Sequence, residues 1–272
     1  MKNRRAVAGG GSRRVNVLSD PTARLVIAHR GTSAHFPENT LPSFDHAVSL
    51  GVDAIEFDLR VTRDGVVVVN HDPTVDRTTD RVGAVAAMTL AELRQLDAGA
   101  RFTPDGISFP FRGQGIGIVT FEELLQHYQS IPLLIEVKIA AAVEGARRLI
   151  EQYGATDRVL MDSTAMDAVA PFRGTRLLTG ASFNDVAHLL PRALLGRAPA
   201  KLPYSALCIP PWFRGIPVPV LRLARVARAV GVATHVWTIN DPAVAEALWK
   251  AGINGIITDD PQTMLERRSH LG

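Results

Sequence analysis

From residue 25 to residue 258, short apolar runs alternate with stretches of helical periodicity. This alternation limits the fold more than any other feature. Strands separated by helices lie parallel in one sheet, and a strand covered on both faces reads as a continuous apolar run. The runs are Leu25–Ala28, Asp53–Thr62, Pro132–Lys138, Arg158–Met161, Leu177–Ala181, Ala206–Ile209, Ala233–Trp237 and Gly255–Thr258. Helical patterns such as Ala141–Tyr153 and Ala243–Ala251 separate them. After the first run, Pro42 suits a first helical turn and Gly51 a helix end. Close to eight strand–helix units in 272 residues match the roughly 250 residues of a barrel. No G-x-G-x-x-G follows the first run, which argues against a dinucleotide fold. The expected class is α/β, a TIM (β/α)8 barrel.

Two segments depart from the alternation. Arg63-Asp64-Gly65 reads as a turn from which Val66–Val69 runs back along the second strand. With Asp64-Gly65 as a two-residue turn, His71 falls opposite Asp58. Residues 73–119 are turn-rich at both ends, with one helical piece at Thr89–Leu96 capped by Thr89 and Glu92. They read as a small insertion after the second strand, lying over the barrel mouth.

The first 24 residues hold six basic side chains against one acid, so the +3 formal charge says little about the folded body. Residues 1–23 read as a disordered basic leader with Gly9-Gly10-Gly11-Ser12 and no apolar signal core. The folded body is expected from Arg24. A nucleic-acid partner is not expected. No run of about 18 apolar residues occurs. Cys208 is the single cysteine, set in an apolar stretch, so the cytoplasm is the default compartment.

Ionisable groups are costly in apolar strands unless they pair or bind something. Here they recur at strand ends: His29-Arg30, Glu56 and Asp58, His71-Asp72, Glu136 and Lys138. Residues i and i+2 of a strand share a face, so Glu56 points with Asp58 and Glu136 with Lys138. Converging carboxylates fit a hard cation, Mg²⁺ or Ca²⁺, with Glu56, Asp58 and Glu136 as candidate metal ligands. His29 and His71 are candidate acid/base groups near neutral pH. Arg30 and Lys138 suit a phosphate, as a fork of donors and a point charge. Solvated strand-end acids and plain salt bridges are the structural alternatives. Cation, arginine and lysine around two acid/base groups suit phosphodiester cleavage.

These residues resemble the glycerophosphodiester phosphodiesterase family. The shared pieces are HRG at 29–31, PENT at 37–40, EFD at 56–58 with a following D-G turn, and HDPTVDRTTD at 71–80. TLAELRQLDAG at 89–99, FEELL at 121–125, EVK at 136–138, VWTIND at 236–241 and GIITDDP at 255–261 continue the series in order. The resemblance spans about residues 24–265 and implies a TIM barrel with an insertion after its second strand. It implies a divalent metal on Glu56, Asp58 and Glu136, acid/base roles for His29 and His71, and Arg30 and Lys138 near the phosphate. Trp237 matches a tryptophan near the pocket mouth. The chain departs from the family at Met161-Asp162-Ser163-Thr164, where a Ser-Phe step is common, and over residues 190–222, which match no motif. Both bear on the leaving-group pocket.

The reading is metal-dependent hydrolysis of glycerophosphodiesters to sn-glycerol 3-phosphate and an alcohol. The attacking oxygen is water or the substrate's 2-hydroxyl. The alternatives are a lysophospholipase D acting on membrane lysophospholipids and a non-enzymatic barrel binding phosphorylated ligands. The histidine pair discriminates against the last. Residues 173–228 hold nine basic side chains and the single acid Asp185, interleaved with apolar groups such as Trp212-Phe213. Arg222, Arg225 and Arg228 are spaced for one basic stripe on a helix. This is either a solvated barrel helix or a peripheral contact with an anionic membrane.

Overall fold

The computed structural model describes residues 16–271. In chain order its strands are β1 (Leu25–His29), β2 (Ala54–Val61), β3 (Val67–Val69), β4 (Leu133–Val137), β5 (Val159–Asp162), β6 (Leu178–Thr179), β7 (Ala206–Ile209), β8 (Trp212–Phe213), β9 (Ile216–Pro217), β10 (Ala233–Val236) and β11 (Gly255–Thr258). The helices are α1 (Leu41–Leu50), α2 (Leu90–Leu93), α3 (Phe121–His127), α4 (Val143–Gln152), α5 (Met166–Val169), α6 (Phe183–Leu194), α7 (Val220–Arg228), α8 (Pro242–Lys250) and α9 (Pro261–Ser269). Eight strands pair parallel in the order β6-β5-β4-β2-β1-β11-β10-β7. A parallel bridge between Gly180 and Ala206 brings the two ends of this path together. The result is the expected TIM barrel with its insertion after the second strand.

Local sequence explains the elements around it. Pro42 opens α1, and Gly51 closes it in the left-handed conformation (φ 79). In α4 the buried positions Val143, Ala146, Leu149 and Ile150 lie on one face. Thr89 with Glu92 and Thr120 with Glu123 form reciprocal capping boxes at α2 and α3.

The barrel interior is stratified. Leu25, Ile27, Ala54, Leu134, Leu160, Ala206, Ala233 and Ile257 form its apolar filling. His235 lies among them, fully buried and bonded through Nε2 to the Leu18 carbonyl at 2.8 Å. Burial pushes its pKa down to about 4, so it is a neutral core group. Leu18 is fully buried against the same filling, on a single 3₁₀ turn at Val17–Ser19. The Asn16 side chain donates to the Val159 carbonyl at 3.3 Å. The folded body therefore begins before Arg24. The expected leader covered residues 1–23, but its last part packs into the barrel; residues 1–15 lie outside the described residues.

The β2–β3 hairpin differs from expectation by one residue. Its register pairs Leu59 with Val69 and Val61 with Val67. The Thr62 and Val66 pair closes a three-residue loop, with Gly65 at φ 81. A glycine in the left-handed region at the third loop position permits this longer turn. Asn70, not His71, therefore faces Asp58, donating its amide N–H to the Asp58 carbonyl at 3.0 Å.

Residues 73–119 build a small core of their own on Val68 of β3, from Val75, Val85, Leu93, Leu96, Ile116 and Ile118. Leu18→Ala is expected to lower stability by about 2–5 kcal/mol, the usual cost of a buried leucine truncation. Chemical denaturation measures it. A loss under about 0.5 kcal/mol would show that the N-terminal turn is not part of the core.

Candidate active site

The polar residues gather at the C-terminal ends of the barrel strands, where barrel enzymes carry their sites. Strand register sets them level: His29 pairs with Glu56, Asp58 with Glu136, and Glu136 with Asp162. A cavity of about 280 Å³ opens among them, lined by His29, Arg30, Glu56, His71, Glu136, Lys138, Asp162 and Trp237, among others. That volume lies near the lower end of small-molecule sites, roughly 300–1,000 Å³.

Oxygens of Glu56, Asp58 and Glu136 converge within 4.8 Å of one another. Asp58 is 1% exposed and surrounded by donors: Asn39 Nδ2 at 3.0 Å, Arg30 Nε at 3.3 Å and Lys138 Nζ at 3.0 Å. Burial works against its charge, but Lys138 and Arg30 outweigh it and hold its pKa below the usual range. Glu56 has the opposite balance. Burial, then the charge of Asp58, pushes its carboxyl up to about 8. The protein's own cations thus leave one acid of the trio uncompensated. An all-oxygen donor set short of positive charge fits a hard divalent ion.

Each histidine rests on an aspartate. His29 Nδ1 lies 2.6 Å from Asp259 Oδ1, and Asp259 also accepts from Ser33 Oγ and Asn240 Nδ2, both at 2.7 Å. His71 Nδ1 lies 2.7 Å from Asp72 Oδ1, and Arg77 Nε holds Asp72 at 2.6 Å. With Nδ1–H on a carboxylate, Nε2 is the free ring nitrogen in both. Burial lowers the pKa of His29, but the Asp259 bond and the Glu56 charge raise it above the ordinary value. His71 is lowered, by burial first and by Lys138 and Arg30 against Asp58.

The backbone that presents these groups is unusual. Arg30 and Asn39 take left-handed conformations (φ 55 and 58), rare for residues other than glycine and concentrated at functional sites. Arg30 donates its amide to the Glu56 carboxylate at 3.1 Å. Gly31, at φ 87, packs so tightly that a Cβ would meet Ser43 Oγ at 2.2 Å. The HRG turn is thereby pressed onto α1.

Seven of the eight residues singled out from the sequence line the cavity, and the eighth, the buried Asp58, joins them through the carboxylate cluster and its contacts with Arg30 and Lys138. Arg30 and Lys138 are not free, however. Arg30 also bridges to Glu38 at 2.9 Å, and Lys138 to Glu136 at 2.7 Å. Sequence reasoning missed the supporting roles of Asp259 and Asp72, although both sit in quoted motifs. It also missed Arg60, whose Nε and Nη2 hold the His71 carbonyl at 2.8 and 2.7 Å. Asp162 went unassigned. It lines the cavity, and burial followed by Glu136 and Glu56 drives its pKa well up. No residue of 73–119 lines the cavity among the described residues. The insertion reaches the site through Arg77, which also pairs with Glu38 at 2.5 Å.

The sequence profile of the glycerophosphoryl diester phosphodiesterase family matches residues 29–263. The chain belongs to that family. It is 32% identical over 259 residues to a glycerophosphodiester phosphodiesterase of Caldanaerobacter subterraneus, covering 89% of this chain and 96% of the relative. A glycerophosphodiester phosphodiesterase of Bacillus subtilis is 28% identical, with 90% and 86% covered. An Oleispira antarctica phosphodiesterase, solved with the product sn-glycerol-3-phosphate, superposes with a TM-score of 0.74 at 27% identity, covering 91% of this chain and 97% of that one. Membership makes the chain a phosphoric diester hydrolase of glycerophosphodiesters.

Because the Asp259 bond raises the His29 pKa, Asp259→Asn is expected to lower it. NMR titration of the ring nitrogens reads the change. An unmoved His29 pKa would show that Asp259 does not hold the ring.

Proposed function

We propose that this chain hydrolyses glycerophosphodiesters to sn-glycerol 3-phosphate and an alcohol, with His29 and His71 as an acid/base pair beside a divalent metal. One observation carries the reading: two aspartate-anchored histidines, an arginine and a lysine line a single cavity with Glu56 and Glu136, whose oxygens converge with that of the buried Asp58.

Arg30 and Lys138 bring two positive charges to the cavity and orient the phosphate, Arg30 through its fork of donors and Lys138 as a point charge. Glu56, Asp58 and Glu136 are the proposed ligands of Mg²⁺ or Ca²⁺, which when bound would polarise the phosphate oxygens. The two Nε2 atoms then exchange the protons that the reaction moves. One takes the proton of the attacking oxygen and the other supplies the departing alcohol. Opposite pKa displacements of the rings suit such a division. Asp259 and Asp72 fix the tautomers, and Arg60 and Arg77 hold the His71 segment. Trp237 lies at the mouth, where it would contact the substrate. Attack by water and attack by the substrate's 2-hydroxyl differ in one product: a cyclic phosphate, visible by ³¹P NMR, forms only in the second.

No helix among the described residues is long and apolar enough to cross a membrane. The finer reading is a cytoplasmic enzyme that touches anionic membrane peripherally. Its support is α7, where Arg222, Arg225 and Arg228 are all exposed on one side. Sedimentation with anionic vesicles at low salt tests it, and no binding there removes it.

His29→Ala and His71→Ala are each expected to lower kcat by at least about 10²-fold. The double variant should lose far less than the product of the two. Wild-type kcat in either single variant would make that histidine structural. Glu56→Gln is expected to weaken metal binding, read by calorimetry, together with activity. Full activity of that variant in EDTA would end the metal assignment.

A further inference from the structure

The catalytic cavity has an apolar neighbour of about 220 Å³, between α6, α7, β7 and the β8–β9 hairpin. Phe183, Leu190, Phe213, Ile216 and Leu223 are among its walls, and no charged residue lines it among the described residues. Thr164, Cys208 and Trp237 line both cavities, so the two adjoin at those side chains.

The outer wall is built for more than water. Arg214 and Gly215 both have positive φ (50 and 80), which gives the short hairpin a two-residue turn. The hairpin projects its apolar side chains outward: Trp212 is 62% exposed and Ile216 68%. Phe213 packs on Phe183 of α6 with ring centroids 5.2 Å apart. An apolar hollow with an exposed apolar rim marks a binding surface. Its continuity with the phosphodiester site names the occupant: an aliphatic chain covalently tethered to the substrate. A free peptide or an unrelated apolar ligand would have no reason to meet the catalytic cavity at Trp237.

We propose that this cavity takes the acyl chain of a single-chain lysophospholipid whose phosphodiester occupies the catalytic cavity. The proposal rests on the phosphodiesterase reading. In the net reaction one water is consumed. Its oxygen bonds to phosphorus, the bond from phosphorus to the head-group oxygen breaks, and that oxygen leaves with a proton of the water. The acyl ester stays intact, so the products are the head-group alcohol and an acylglycerol phosphate.

The test compares glycerophosphocholine with lysophosphatidylcholines of increasing chain length, each below its micellar concentration, using the full chain with Mg²⁺ or Ca²⁺. Each buried methylene is worth about 0.8 kcal/mol, or about fourfold. Choline release should therefore rise by up to about fourfold in kcat/KM per methylene and then level off as the cavity fills. Acylglycerol phosphate should appear in equal amount. Two variants place the effect. Ala187→Trp adds bulk at an exposed position of α6 that lines the cavity, and Ile216→Asp puts a charge on its rim. Both should flatten the series while keeping wild-type turnover of glycerophosphocholine. A flat wild-type series alongside active turnover of glycerophosphocholine overturns the acyl proposal alone. So does a rise that both variants retain. Absence of turnover with every substrate would instead overturn the phosphodiesterase reading.

Discussion

Asp58 is the charge around which the site is arranged. It is 1% exposed on a central barrel strand, and an isolated carboxylate there would cost several kcal/mol. Three donors from two connections prevent that: Arg30 and Asn39 between β1 and α1, and Lys138 after β4. Each donor carries its segment with it. Arg30 brings the HRG turn and Glu38, Glu38 brings Arg77, and Arg77 brings Asp72 and the His71 ring. Loss of Lys138 or Arg30 would leave a buried charge partly unpaired, a change that costs about 3–5 kcal/mol in buried ion pairs. The same cations suited to phosphate are therefore structural cations, and a substrate must compete with Asp58 and Glu136 for them.

The two histidines show how similar anchoring gives different protonation. Both use Nδ1 on an aspartate. His29 lies beside Glu56, whose charge adds to that of Asp259. His71 lies near Lys138 and Arg30, whose charges oppose protonation. The rings sit on opposite sides of the charge balance that Asp58 sets up. A cation on the carboxylates would shift that balance for both, so the resting arrangement and the loaded site differ in their proton inventory as well as in charge.

Legibility in the sequence followed the range of the interactions. Strand alternation and the i, i+2 rule placed Glu56, Asp58, Glu136 and Lys138, because those rules act within one strand. The barrel followed from counting strand–helix units. The hairpin register slipped by one residue because a three-residue loop with Gly65 and a two-residue loop carry nearly the same sequence mark. Asp259 was missed as the partner of His29 because 230 residues separate them, and nothing local distinguishes it from the helix cap Asp260 beside it. Asp72 was adjacent to its histidine, yet only its contact with Arg77 shows that it is held in place. The apolar cavity was the least visible feature. Its walls come from α6, α7 and a hairpin in a stretch that matched no motif, and each wall alone reads as ordinary packing.

The barrel thus divides its apolar and polar work by height and by side. Below, Leu18 and the neutral His235 close an interior that contains no charge to compensate. Above, acids and cations from β1, β2, β4 and β5 crowd the half of the mouth where the strands are best paired. The other half, between β6 and β7, is held by short strands and a single bridge, and it is there that the apolar hollow opens. This asymmetry has a physical basis. Charges need rigid partners to be buried at tolerable cost, so they belong on the long, well-paired strands. An aliphatic chain needs only area, and area can be supplied by loops, a hairpin and helix flanks without fixed geometry. In this barrel the chemistry and the recognition of the substrate's apolar part would therefore be free to vary separately, with Thr164, Cys208 and Trp237 as the side chains common to both.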